Sequence, residues 1–213
     1  MLQKNTIETK TFELLTELMN EPILSDFFLV GGTSIALQIG HRKSIDLDLF
    51  SQNDINVAQL NDFLSKKYHF IERYRAKHTL KGEINGVFID CMKYDYKLVK
   101  AINVYNNIRI ASLEDVIAMK LSAITDNGSR LKDFVDIAYL SVKYSLQEML
   151  SFYAQKYNDS NMLSAVKALG YFEDIDFESE PVELVNKKFS WKKIKDRIND
   201  MIKEPYKVFD YFQ

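Results

Sequence analysis

The chain has 213 residues, 46% of them apolar and 27% charged, with a net charge of -2. That is enough apolar material for a real core in one large domain or two small ones, and any polyanion site must be a local patch. The single cysteine, Cys91, excludes an internal disulfide and argues against a cysteine-based zinc site, and no run is long enough to span a bilayer.

Residues Met1 to Thr6 lack the apolar core of a signal peptide, so a cytoplasmic protein with no membrane partner is expected. Thr6 to Asn20 reads as an amphipathic helix, with Ile7, Phe12, Leu14, Leu15, Leu18 and Met19 inward. Glu21-Pro22 ends it. Phe27 to Val30 is a short apolar run stopped by glycine, the pattern of a buried strand. Gly31-Gly32 lets a ligand approach the main chain closely, and Thr33 or Ser34 is expected to cap the helix that follows. Such a turn aims free N–H groups outward, which suits phosphate oxygens. After Gly40 comes the basic turn His41-Arg42-Lys43. His41 has a claim as a phosphate or base neighbour. Arg42 has the better claim to phosphate, because its planar fork suits oxyanions.

Ile45 to Phe50 reads as a second strand. Alternation puts Asp46 and Asp48 on one face and Ile45, Leu47 and Leu49 on the other. Two carboxylates about 6–7 Å apart on one strand face repel each other unless a cation lies between or before them. Hard oxygen donors without cysteine or histidine suit Mg²⁺. A phosphate-binding turn beside a magnesium-binding pair is the apparatus of nucleotidyl transfer.

Asn56 to Tyr68 is a further amphipathic helix, with Val57, Leu60, Phe63 and Leu64 inward. Strands are expected at Phe70–Tyr74 and His78–Ile84, with a hairpin at Asn85-Gly86 leading into Val87–Met92. Asp90 shares a face with Phe88 and Met92 on an otherwise apolar strand, and a buried carboxylate is costly unless paired or metal-bound. Asp95 lies beyond the apolar run. Lys97 to Asn107 is left open, and Ile108 to Ala111 reads as a short edge strand.

From Ser112 onward the chain reads as all-helical, so two parts are expected, 1–111 and 112–213. Ser112 caps a helix whose stripe is Leu113, Val116, Ile117, Leu121 and Ile124. Lys120 falls inside that stripe, where a lysine snorkels to water or reaches a carboxylate or phosphate. Thr125 to Gly128 breaks the helix, Ser129 is expected to cap the next, and Asp133 and Asp136 share a side of it. Helices follow at Ser145–Tyr157 and Asn161–Leu169. Glu173 to Pro181 is an acidic loop without the spacing of a calcium loop. Lys187 to Arg197 is basic with interleaved aromatics. It reads either as an RNA-backbone contact or as the solvated face of a helix anchored by Trp191, Ile194 and Ile198.

Gly31-Gly32-Thr33-Ser34 followed by Gly40-His41-Arg42-Lys43-Ser44-Ile45-Asp46-Leu47-Asp48-Leu49-Phe50 resembles the signature of the AbiEii/AbiGii nucleotidyltransferase toxins, of the DNA polymerase β-like nucleotidyltransferase superfamily. Lys120 and then Arg130-x-Lys132-Asp133-x-x-Asp136 resembles that family's second block. The resemblance implies an α/β (α+β) fold, a nucleotidyltransferase-type mixed sheet with flanking helices, and a C-terminal helical part. It implies transfer of a nucleoside monophosphate from an NTP to an acceptor hydroxyl, with two Mg²⁺ ions held by Asp46 and Asp48. A third carboxylate on a later strand is implied, for which Asp90 is the candidate and Asp95 the runner-up. Gly31, Gly32, Thr33 or Ser34, Arg42 and Lys120 would hold the triphosphate. Asp133 would act near the reaction centre or order Lys120 or Lys132. The competing expectation for Lys120 is an interhelical salt bridge joining the two parts. A separate antitoxin and a tRNA acceptor are implied as partners. Small-molecule nucleotidylation and a non-catalytic NTP-binding module are the alternatives.

Overall fold

The computed structural model describes residues 1–158, 160–179 and 181–212; Glu180 of the expected acidic loop lies outside them. A seven-stranded sheet runs in the order β3-β4-β5-β2-β1-β7-β6. Its strands are β1 (Phe28–Leu29), β2 (Leu47–Ser51), β3 (Ile71–Ala76), β4 (Thr79–Ile84), β5 (Val87–Lys93), β6 (Asn103–Tyr105) and β7 (Ile108–Ile110). The helices are α1 (Thr9–Met19), α2 (Gly31–Ile39), α3 (Val57–Tyr68), α4 (Leu113–Asp126), α5 (Leu131–Leu140), α6 (Leu146–Lys156), α7 (Met162–Leu169) and α8 (Trp191–Lys203). Contacts divide the chain into two compact units. The first holds Met1–Gly40, Ser44–Lys97 and Ala101–Ala111; the second holds His41–Lys43, Leu98–Lys100 and Ser112–Gln213.

In the first unit, β3, β4 and β5 form an antiparallel meander. Its β4–β5 turn is Asn85-Gly86, with φ of 51° and 79°, as a tight hairpin of the right twist requires. β2 joins β5 in parallel, and β1 pairs antiparallel with β2 and parallel with β7. Alternation then sorts the faces. Leu47, Leu49, Leu80, Ile84, Ile89, Cys91, Ile108 and Ile110 form one core with Leu15 and Leu18 of α1 and Leu60 and Leu64 of α3. Gly82 sits in that face because Phe70 lies over it: a Cβ there would come 2.4 Å from the Phe70 ring. The opposite face carries Asp48, Phe50, Phe88 and Asp90, half-buried or exposed.

Two expectations change, and one open segment gains a strand. Ile45, expected on the core face, is 54% exposed, since β2 begins only at Leu47. Ile108–Ile110 is not an edge strand but lies between β1 and β6. The open segment Lys97–Asn107 supplies β6, and Asn106 and Asn107 at positive φ turn it back.

In the second unit, the Ser112 side chain caps α4 by accepting from the Asp115 N–H, as expected. Ser145 and Glu148 form a full capping box on α6, and Asn161 caps α7. The expected cap at Ser129 is absent: Arg130 holds the cap position of α5 without a side-chain cap. On α8, Ile194 and Ile198 are buried, and Trp191 meets Phe134, Phe172 and Phe177 edge-on. Lys192, Lys193 and Lys195 face water. Among the described residues, no helix is long and apolar enough to cross a membrane.

Candidate active site

The first unit places the glycine turn directly on the second strand. β1 ends at Leu29, and the Val30 N–H donates to the Asp48 carbonyl at 2.9 Å, which fixes residue 31 beside Asp48. Gly31 turns there with φ +69°, and a Cβ on it would lie 2.1 Å from Asp48 Oδ2. Only glycine accepts both the backbone angle and the contact.

The expected caps act differently. Val30 holds the cap position of α2, and no side chain caps the helix. Thr33 is buried, and its Oγ1 donates to the Asp46 carbonyl at 2.5 Å and lies 2.8 Å from Ser44 Oγ. It ties α2 to the approach of β2. Ser34 is fully buried and accepts from Gln38 Nε2 at 3.2 Å. Both hydroxyls face inward, so the groups this turn offers an anion are the main-chain N–H groups of the first turn of α2.

The carboxylates stand in a row. Asp48 of β2 is the Cα partner of Asp90 of β5, and Asp90 is the Cα partner of Lys81 of β4. Directly opposed residues share a face, so Asp48, Asp90 and Lys81 cross three strands on the side away from the core. Asp46 has the same parity, one residue ahead of β2, and is exposed. Asp90 is not the buried carboxylate expected from its strand. It is half-buried, and its Oδ2 accepts from Lys81 Nζ at 2.5 Å. Asp95 lies outside the row, exposed and 2.8 Å from Lys93 Nζ.

Among the described residues, no three histidine, cysteine, aspartate or glutamate side chains gather closely enough to hold a metal ion. The donor chemistry of the row nevertheless fits a hard divalent cation. Asp48 and Asp90 stand abreast with oxygen donors only, and a cation, the Lys81 ammonium, already sits against Asp90.

The second unit contains a separate buried charge cluster. Arg42 grips Asp136 with Nε at 2.6 Å and Nη2 at 2.9 Å. His41 Nε2 meets the same Asp136 Oδ1 at 2.7 Å. Lys120 Nζ bonds Asp133 Oδ1 at 2.5 Å and lies 3.0 Å from Asp136 Oδ2. All five residues are buried. Burial alone would push the Asp136 carboxyl up; Arg42 and Lys120 outweigh it and hold that carboxyl well below the usual range. Burial likewise opposes charge on Lys120, but Asp133 and Asp136 overcome it and raise its pKa. For His41, burial prevails and lowers the pKa in spite of Asp136. Its Nδ1 and the second oxygen of Asp133 have no hydrogen-bond partner.

The expected salt bridge at Lys120 therefore exists, but it links α4 and α5 within the second unit instead of joining the two parts. The Nε2 of His41 belongs to the same cluster, facing Asp136. Asp136 is the centre of this cluster.

Two features escaped the sequence. Lys81 reads as one of several outward charges on an alternating strand, and only the β4–β5 register puts it on Asp90. Asp115 reads as an ordinary acid in a first helical turn. It is fully buried and accepts from Val99 N at 2.9 Å, Lys100 N at 3.0 Å, Ser112 Oγ at 2.7 Å and Lys156 Nζ at 2.7 Å.

This fold is that of the nucleotidyltransferases. JHP933 from Helicobacter pylori superposes with a TM-score of 0.57 at 17% identity, over 94% of this chain and 93% of its own. MenT4, a nucleotidyltransferase toxin from Mycobacterium tuberculosis H37Rv, gives a TM-score of 0.57 at 13% identity, over 92% of this chain and 84% of its own. At such identities the likeness is one of fold. A family model described as the nucleotidyl transferase AbiEii toxin of a type IV toxin–antitoxin system matches residues 13–99 and 94–210. The chain belongs to this AbiEii family and is a nucleotidyltransferase. An uncharacterized protein of Aquifex aeolicus (strain VF5), aq_aa25, is 32% identical over 168 residues, 76% of this chain and 81% of its own length.

Proposed function

We propose that the sheet face bearing Asp46, Asp48 and Asp90, together with the first turn of α2, is the transfer site. The observation that carries this reading is the register that sets Asp48 beside Asp90, with Gly31 packed on the Asp48 carboxylate. The acceptor hydroxyl oxygen attacks the α-phosphorus of an NTP, the bond from that phosphorus to the bridging oxygen breaks, and pyrophosphate leaves. Asp90 helps take the hydroxyl proton. The N–H groups of Gly31 and Gly32 hold phosphate oxygens, and Thr33 keeps Asp46 in place through its carbonyl. Asp46, Asp48 and Asp90 would hold Mg²⁺, which when bound neutralises charge on the triphosphate and activates the attacking oxygen. Most of the rate comes from positioning and charge neutralisation.

Lys120 and Arg42 remain the proposed triphosphate contacts of the second block. For each, a phosphate oxygen would have to replace a carboxylate partner, Asp133 or Asp136. The 2.5 Å bond from Lys120 to Asp133 supports the version in which Asp133 orders Lys120. The family supports a role as the toxin of a toxin–antitoxin pair with a separate antitoxin, and we propose tRNA as the acceptor.

The test is incubation of the purified protein with Mg²⁺, each labelled NTP and total tRNA. Label on tRNA is the expected result. Label on a small acceptor instead would move the reading to small-molecule modification, and tight NTP binding without transfer in any mixture would overturn it. Full transfer by Asp48→Asn would remove the assigned carboxylate role.

A further inference from the structure

We infer that the second unit holds a site for single-stranded RNA, in which one base enters an apolar cavity and the lysines that line it take the adjoining phosphates. The cavity measures 260 Å³ and is lined by residues of that unit alone. Tyr139, Leu184, Ile194 and Phe212 give it apolar walls, and Lys187, Lys188 and Lys193 bring charge to it. Among the described residues, no acidic side chain lines it. Clefts that bury a whole drug-sized ligand measure roughly 300–1,000 Å³. This smaller one suits a single flat ring system whose charged remainder stays outside.

The walls are held in place. Phe212 stacks on Tyr139 with ring centroids 4.4 Å apart. The Arg197 guanidinium lies 4.2 Å from the Phe212 centroid and donates to Ser141 Oγ and to the Asp210 carbonyl, each at 2.9 Å. Lys187 donates to the Phe212 carbonyl. A carbonyl carries no net charge, so the ammonium keeps its attraction for an anion.

Charge complementarity identifies the occupant. From Lys187 to Arg197 the sequence has six cations and one acid, Asp196, in a chain whose net charge is -2. Lys192 and Lys195 are exposed on α8 but outside the cavity lining. A mononucleotide has phosphates only beside its own base, whereas a strand carries one per nucleotide beyond the cavity, where these lysines stand. Aromatic walls joined to a basic track hold single strands. A duplex keeps its bases stacked inside and offers none to a cavity. The choice of RNA over DNA rests on the tRNA acceptor proposed above; the cavity and the lysines do not depend on it.

The test is fluorescence anisotropy of the full chain with a labelled short single-stranded oligoribonucleotide, without Mg²⁺ or NTP, against the same strand made abasic. Lys187→Gln, Lys193→Gln should bind both strands about tenfold more weakly near physiological salt. Its plot of log affinity against log salt should be shallower by about 1.4, two phosphate contacts at ~0.7 each. Lys10→Gln, Lys66→Gln makes the same charge change on exposed lysines of α1 and α3 and should bind as the unmodified protein does. The unmodified protein should prefer the base-bearing strand by about fivefold or more. Ser190 lines the cavity and makes no side-chain cap bond, so Ser190→Phe fills the space and should abolish that preference while leaving abasic binding unchanged. Thermal melting checks folding; Lys188→Gln, Lys192→Gln and Ser190→Leu replace any variant that is unfolded. Unchanged affinity in the folded lysine variants would overturn the inference. So would the absence of a base preference, its survival in Ser190→Phe, or displacement of the strand by a mononucleotide at equal concentration. Tighter binding of the matching DNA would overturn the assignment to RNA. Asp48→Asn should bind the strand normally, so the absence of transfer in any mixture would count against the transfer site alone.

Discussion

A methyl group at position 31 would sit 2.1 Å from Asp48 Oδ2. Backbone and carboxylate are in contact there, with no room for a side chain between them. Gly31→Ala must therefore move α2 or turn Asp48 away, and it also places a Cβ at φ +69°. The positive φ alone costs about 1–2 kcal/mol. The expected outcome is a melting temperature lowered by several degrees and a loss of transfer far larger than that loss of stability explains. Parallel thermal melts and transfer assays at a temperature where the variant is folded check this.

Asp136 serves three partners, His41, Arg42 and Lys120, in a site with no water contact of its own. Asp136→Asn keeps the shape but leaves two buried cations without their shared counter-charge. Breaking a buried pair by removing one partner costs about 3–5 kcal/mol. Urea denaturation should report a loss in that range for Asp136→Asn. A loss below about 1 kcal/mol would place the cluster among surface ion pairs.

Stability should also fall with acid in two windows. His41 titrates near pH 6.5 in an unfolded chain, and burial lowers it in the folded one. Between those two values the unfolded chain binds a proton that the folded chain does not. Stability from this group is thus complete above about pH 6.5 and declines as pH falls below it, by up to ~1.4 kcal/mol per pH unit. Asp136 lies well below the usual range when folded, so its contribution is present above about pH 3.9 and is lost as pH falls through the folded value. His41→Gln should flatten the upper window and leave the lower one. Denaturation midpoints measured from pH 8 to pH 3 give the comparison.

Around Asp115 the two directions of damage differ. Asp115→Ala removes the acceptor for two main-chain N–H groups and leaves the fully buried Lys156 side chain without this carboxylate. Lys156→Met leaves Asp115 with its Ser112, Val99 and Lys100 donors. Asp115→Ala should cost about 3–5 kcal/mol and Lys156→Met less than half of that. Equal losses by chemical denaturation would show that the salt bridge, not the main-chain anchoring, is what Asp115 supplies.

Much of this was legible in the residues because local rules decided it. The glycine turn, the shared face of Asp46 and Asp48, the Asn85-Gly86 hairpin and the Ser112 cap each depend on a few neighbouring positions. The misses are long-range. Thr33 and Ser34 look like caps because of residue type, but Thr33 has the Asp46 carbonyl within reach, thirteen positions away. Ile45 keeps the alternation of its strand in sequence, yet β2 starts two residues later. Asp90 looked buried because Phe88 and Met92 flank it, and Lys81 looked superficial because Glu83 follows it. Only the lateral register of β4, β5 and β2 puts the two on one line. The same holds for Asp136, whose partners His41 and Arg42 are more than ninety positions distant.

The strand order carries a last consequence, for how the molecule is made. The hairpins of β3, β4 and β5 close within residues 71–93, whereas β2 reaches its partner β5 only across the intervening α3, β3 and β4, and β1 must wait for β7 at Ile110. Pairings with wide sequence separation form late. A ribosome has thus released Asp48 well before Asp90 is available to it, and a chain interrupted before Val87 carries the glycine turn and the Asp-x-Asp strand without the neighbour that completes them.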